Sequence, residues 1–165
     1  MNDLRELFVM ELKDLYSAEQ QILRSLPLLT RAAFDPALKA TFEEHIQQTE
    51  AHVRRLEQIL DDLGEKPIGK FCKGMQGLVE EENEVLNETD ATPGVRDAAL
   101  ISAVQRVEHY EIAGYGCART FAERLGENEA AEMLQQTLNE AGETDKKLTQ
   151  IAQWPVNESA KTRRI

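Results

Sequence analysis

The sequence predicts an all-α protein, an antiparallel four-helix bundle, on three observations. Helix-forming Leu, Glu, Ala, Gln and Arg are abundant, while 9 Gly and 5 Pro among 165 residues are few for a fold of many strands and turns. Apolar residues recur at spacings of three and four through four long segments, which keeps them on one helical face. Capping residues, glycines and prolines separate those segments.

The first helix is expected at about residues 2–34, with a stripe containing Leu4, Phe8, Leu12, Leu15, Ile22 and Leu26. Pro27 lacks an N–H and should bend or interrupt its final turns. Asp35-Pro36 places a capping side chain before a proline at the first helical position and opens a second helix at about 36–63, which Gly64 and Pro67 end. Thr92-Pro93 repeats the arrangement before a third helix at about 94–125. Gly126 separates this from a fourth at about 128–153, closed by Trp154-Pro155. Residues 1–153 thus read as one bundle domain and 154–165 as a C-terminal tail.

Short turns make the first two helices antiparallel, and likewise the last two, while residues 64–93 form a long crossover. Its apolar positions, among them Met75, Leu78, Val79 and Val85, predict a short helix there. Glu80-Glu81-Glu82 reads as a solvated face of that helix. Phe71, Met75 and Leu78 form a stripe that a second copy of the chain would bury, so a homodimer is expected.

A net charge of −11 argues against nucleic acid and anionic lipid as partners, with Lys161, Arg163 and Arg164 forming a short basic end. No apolar run reaches the ~20 residues of a membrane span, and no signal-peptide pattern is seen, which predicts a cytoplasmic protein. Cys72 and Cys117 form no CxxC unit and read as two reduced thiols.

Each apolar seam has a polar middle. The second helix carries His45, Thr49 and His52 between apolar ends, the third Glu111, the fourth Asp145, and the first Glu11 and Glu19. Depth can be counted from each turn at about 1.5 Å per residue. By that count Glu19 falls opposite His52, and Glu111 falls opposite a point between Glu140 and Asp145. Several acids at one interior level must be neutralised by basic partners, protons or a cation. Inward carboxylates and imidazoles from four helices are a ligand set for a pair of metal ions. Glu19, His52, Glu108, Glu111 and Glu140 lead the candidates, with His45, Gln48 and Asp145 as direct or supporting members. A purely structural polar layer is the alternative.

The segments Asp14-Leu15-Tyr16-Ser17-Ala18-Glu19, His45 through His52, Arg96 through Ile101, Val107 through Gly116, and Thr144-Asp145 together resemble the ferritin-like superfamily. Within it they are most similar to the bacterial stress-associated YciE/YciF group, over nearly the whole chain. The resemblance implies a ferritin-like bundle and a dimetal site of iron or manganese, built from two glutamates and two Glu-x-x-His pairs. It also implies reaction with peroxide or oxygen, with Glu108 or Glu111 bridging, Glu19 and Glu140 terminal, and His52 supplying nitrogen. The chain departs from that pattern. Thr49 stands three residues before His52, the fourth helix has no histidine, and Gln48 and Ala141 occupy positions where similar proteins have glutamates. A structural or adaptor bundle with a degenerate site is therefore the competing expectation. Tyr16, Tyr110 and Tyr115 are candidates for hydrogen bonds to the ligands.

Overall fold

The computed structural model of the chain describes residues 1–161 and contains α1 (Leu4–Ala32), α2 (Pro36–Asp62), α3 (Lys73–Asn87), α4 (Pro93–Leu125), α5 (Asn128–Ile151) and α6 (Asn157–Lys161). Arg163 and Arg164 of the expected basic end lie outside the described residues. Helices α1, α2, α5 and α4 form the four sides of the bundle, each packed on the next and α4 closing on α1. Among the described residues there is no strand, and no helix is long and apolar enough to cross a membrane.

Local chemistry sets the helix ends. Asp3 accepts from the Glu6 N–H at 2.8 Å, and Asp35 accepts from the N–H groups of Ala37 and Leu38. Pro93 takes the first-turn position as expected, but the Thr92 hydroxyl makes no capping bond. Gly126 ends α4 at φ 78°, a left-handed conformation that costs glycine little. Pro27 lies within α1, which runs uninterrupted to Ala32. The Asp97 carboxylate of α4, only 3 % exposed, accepts from the N–H groups of Phe34 and Asp35 and ties the α1–α2 turn to α4.

The core consists of two apolar clusters. One gathers Ile22, Leu26, Phe42, Leu100 and Val104, and the other gathers Phe8, Leu12, Leu56, Ile59 and Leu134. The crossover helix α3 lies across α1 and α4. Its Met75 is completely buried in the first cluster and Leu78 packs against that cluster, so the stripe expected to meet a second copy folds largely onto its own bundle. Phe71 and Ile68 remain exposed. The acidic run also divides: Glu80 and Glu81 face solvent, whereas Glu82 is 2 % exposed.

The helical path continues where the sequence indicated its end. Ala152–Val156 forms a π-helical turn that passes through Pro155, and the Asn157 N–H bonds back to Ala152 O. Helix α6 then packs on α4, and Val156 is 2 % exposed in the first apolar cluster. The described residues of the expected C-terminal tail, up to Lys161, are thus helical.

Candidate metal centre

Between the two apolar clusters, five side chains of α1, α2 and α4 meet: Glu19, His45, His52, Glu108 and Glu111, none more than 1 % exposed. Helical spacing explains how few segments supply them. His45 and His52 are two turns apart on α2, and Glu108 and Glu111 are one turn apart on α4. They form two trios in which potential ligand atoms lie within 4.8 Å of one another: Glu19, His52 and Glu111, and His45, Glu108 and Glu111. Glu111 belongs to both.

His52 Nδ1 lies 3.3 Å from Glu19 Oε1 and 3.6 Å from Glu111 Oε1. His45 Nδ1 lies 3.2 Å from Glu108 Oε1, and its Nε2 lies 3.9 Å from Glu111 Oε2. Both carboxylate oxygens of Glu108 and of Glu111, both His45 nitrogens, His52 Nδ1 and Glu19 Oε2 are buried without a hydrogen-bond partner. Orphaned polar atoms at this density are costly in a folded protein. They are donors of the kind iron or manganese accepts, and their convergence fits such ions.

Burial works against charge throughout the cluster. It pushes Glu108 well above the usual carboxylate range, with Glu111 adding to the effect. It raises Glu111 to about 8, reinforced by Glu19. His45 falls to about 4 through burial and the charge of His52. Burial also opposes charge on Glu19 and His52, but there their mutual attraction prevails: Glu19 is lowered and His52 raised. The Tyr115 hydroxyl donates to Glu19 Oε1 at 2.5 Å and further favours its ionised form.

Three expected members join neither trio. Gln48 accepts from the Thr144 hydroxyl at 2.9 Å, joining α2 to α5. Asp145 accepts from Gln105 Nε2 at 3.0 Å and lies 3.4 Å from exposed His109, joining α5 to α4. Glu140 approaches the outer edge of the cluster, with His52 Nε2 3.0 Å from its Oε2. The reason is the rotation of α5, which turns Thr137, Ala141 and Thr144 inward. Glu140 is one residue, or about 100° of helix, away from inward-facing Ala141.

Arg55 was absent from the sequence-based candidates. Its Nη1 and Nη2 donate to the two Glu140 oxygens at 2.6 and 2.9 Å, and Nη1 also donates to Thr137 at 3.0 Å. Burial favours the neutral form of Glu140, but His52 and Arg55 outweigh it and take the carboxyl down to about 2. The position of Arg55 three residues after His52 was the available signal, because it places both on one face of α2.

Tyr16 and Tyr110 serve other sites. Tyr16 donates to Glu57 at 3.1 Å. Tyr110 donates to Asp14 at 3.2 Å and lies 2.9 Å from the buried Cys72 sulfur. Ser17 accepts from the Cys72 N–H, so the Asp14–Glu19 segment both docks the crossover and supplies Glu19. Cys72 and Cys117 are both free thiols.

Comparison with known proteins agrees with this architecture. Residues 3–161 match the DUF892 family, described as a domain of unknown function. Protein YciF of Escherichia coli (strain K12) is 42 % identical over 164 residues, covering 99 % of this chain and 98 % of YciF. The crystal structure of that E. coli stress protein superposes with a TM-score of 0.90, covering 98 % of this chain and 100 % of the other. YcfI from Rhodopseudomonas palustris, provisionally named a structural protein, gives 0.86 at 36 % identity, covering 90 % and 94 % of the two chains. A ferritin-like, diiron-carboxylate protein from Bacillus anthracis str. Ames gives 0.71 at 15 % identity, covering 92 % and 99 %, and shares the fold. The chain belongs to the DUF892 family and has the ferritin-like helical fold of its relative YciF.

Proposed function

We propose that the chain is a metal-binding stress protein whose polar layer holds two iron or manganese ions and acts on peroxide or oxygen. The observation that carries this reading is the set of unpartnered, buried oxygens on Glu108 and Glu111, facing His45 and His52. A close pair of such ions supplies two-electron exchange with peroxide or oxygen when bound.

The chain's own residues prepare that chemistry. Glu111 belongs to both trios and is the bridging candidate, while Glu19 is fixed by Tyr115. His45 is neutral near pH 7 and has a lone pair to offer. Glu108 and Glu111 must release protons as they become ligands, which couples binding to pH. The near-complete burial of all five side chains excludes bulky reactants and suits small ones.

A structural or adaptor bundle is the second reading, favoured by the inward Ala141 and Thr144, which leave α5 without a ligand in either trio. Metal analysis after expression in iron- or manganese-supplemented medium, paired with a peroxide-consumption assay, separates the two. About two ions per chain with peroxide turnover supports the first; a metal-free, inactive protein supports the second.

A further inference from the structure

Glu140 differs from the other acids near the cluster in that its acceptor positions are filled. Oε2 receives Arg55 Nη1 at 2.6 Å and His52 Nε2 at 3.0 Å, while Oε1 receives Arg55 Nη2 at 2.9 Å and Gln136 Nε2 at 3.2 Å. Glu108 and Glu111 have no partner on either oxygen. Glu140 side-chain exposure is 23 %, against 0 % for Glu108 and 1 % for Glu111.

Glu140 also meets His52 from the side opposite the cluster. Nδ1 of the ring faces Glu19 and Glu111, and Nε2 faces Glu140. A carboxylate held ionised by a guanidinium accepts the hydrogen bond from Nε2–H, so Nδ1 is the nitrogen that gives up its proton and offers a lone pair to an ion among the inward acids. Arg55 is in turn anchored by Thr137 and has 16 % side-chain exposure, so the pair is partly sheltered from water.

We propose that Glu140, clamped by Arg55, is a positioning residue that holds the His52 Nε2–H and presents Nδ1 to the metal centre, rather than a metal ligand. The inference rests on the metal-binding reading above. It restricts the protein ligands to Glu19, His45, His52, Glu108 and Glu111. Arg55 keeps Glu140 charged and oriented while occupying the lone pairs that an ion would need.

The test is calorimetric titration of the full chain with Mn(II), alongside nitrogen-correlated proton NMR of the Zn(II)-loaded protein. A glutamine keeps the acceptor oxygen but is a poor metal ligand, so E140Q should bind both ions within about twofold of wild type. E140A removes the acceptor and should weaken one of the two ions about tenfold or more. R55M should weaken the same ion. The His52 Nε2 proton should be seen in wild type and E140Q and lost in E140A. If E140Q is as weak as E140A, Glu140 is a ligand and the proposal falls. Wild-type affinity in E140A or R55M would also overturn it, leaving an ordinary ion pair. Wild-type protein that takes up no Mn(II) would remove the metal-binding reading itself, and this inference with it.

Discussion

Glu82 offers a test of packing that is independent of any metal. This residue of α3 is 2 % exposed, its Oε2 has no partner, and burial raises its pKa from 4.5 to about 7, with Ser25 as the one opposing influence. Because the folded value is the higher one, the native state binds more protons than the unfolded chain between those values. Its contribution therefore costs almost nothing below pH 4.5, grows as pH rises, and is complete above pH 7. The shift corresponds to about 3 kcal/mol at pH 8 and about 1 kcal/mol at pH 5. Glu82→Gln removes the ionisation, so its stability relative to wild type should improve by about 2 kcal/mol between pH 5 and pH 8. Urea denaturation of both proteins in the presence of a chelator measures this, and the titrations of the central cluster cancel in the difference. An identical stability difference at both pH values would refute the argument, showing that Glu82 is as ionised in the native state as in the unfolded chain.

Glu111→Ala and His52→Ala should each reduce bound metal with helical circular dichroism nearly unchanged, because both apolar clusters remain; full metal stoichiometry in both would remove these residues from the site. Chelation should lower the melting temperature of the metal-loaded protein by roughly 5–11 °C if the ion had been present at about 100 times its Kd, and an unchanged melting curve would mean the metal adds nothing to the fold. Mn(II) affinity should strengthen as pH rises, by about tenfold per unit below pH 8 from Glu111 alone; titrations that give the same affinity at pH 6 and pH 7.5 would contradict this. A homodimer remains our proposal, now through exposed Ile68 and Phe71, and light scattering after gel filtration would reject it by finding a monomer at micromolar concentration.

Helical periodicity made much of this molecule legible. The α2 series Leu38, Phe42, His45, Thr49, His52 and Leu56 is buried as its spacing requires, and counting depth from the first turn correctly set Glu19 beside His52. What failed was azimuth on α5. Thr144 and Asp145 are neighbours about 100° apart on the helix, the expected seam runs through Asp145, and Thr144 is the buried one. Glu82 is missed by reading the acidic run as one solvated face, although the spacing of Met75, Leu78, Val79, Val85 and Leu86 places Glu82, alone of the three, on their side of α3. Arg55 shares a face of α2 with His52, but its pairing depends on where α5 places Glu140, which spacing within α2 alone does not fix. The continuation past Pro155 also depended on tertiary contact, since Val156 gains a place in the core that local proline chemistry does not reveal.

The expected ligands that join neither trio share a structural consequence. Gln48 binds Thr144, Glu140 binds Arg55, and Asp145 binds Gln105, so each forms a polar tie between α5 and α2 or α4. The two trios, by contrast, draw only on α1, α2 and α4. In this chain the fourth wall of the bundle is therefore attached by hydrogen bonds and apolar packing, and an ion pair at the centre would link the other three walls. That division makes the absence of a histidine and the presence of Ala141 on α5 compatible with metal binding. A helix that supplies no ligand has no need of the missing groups, provided that its Glu140 still reaches His52 from outside.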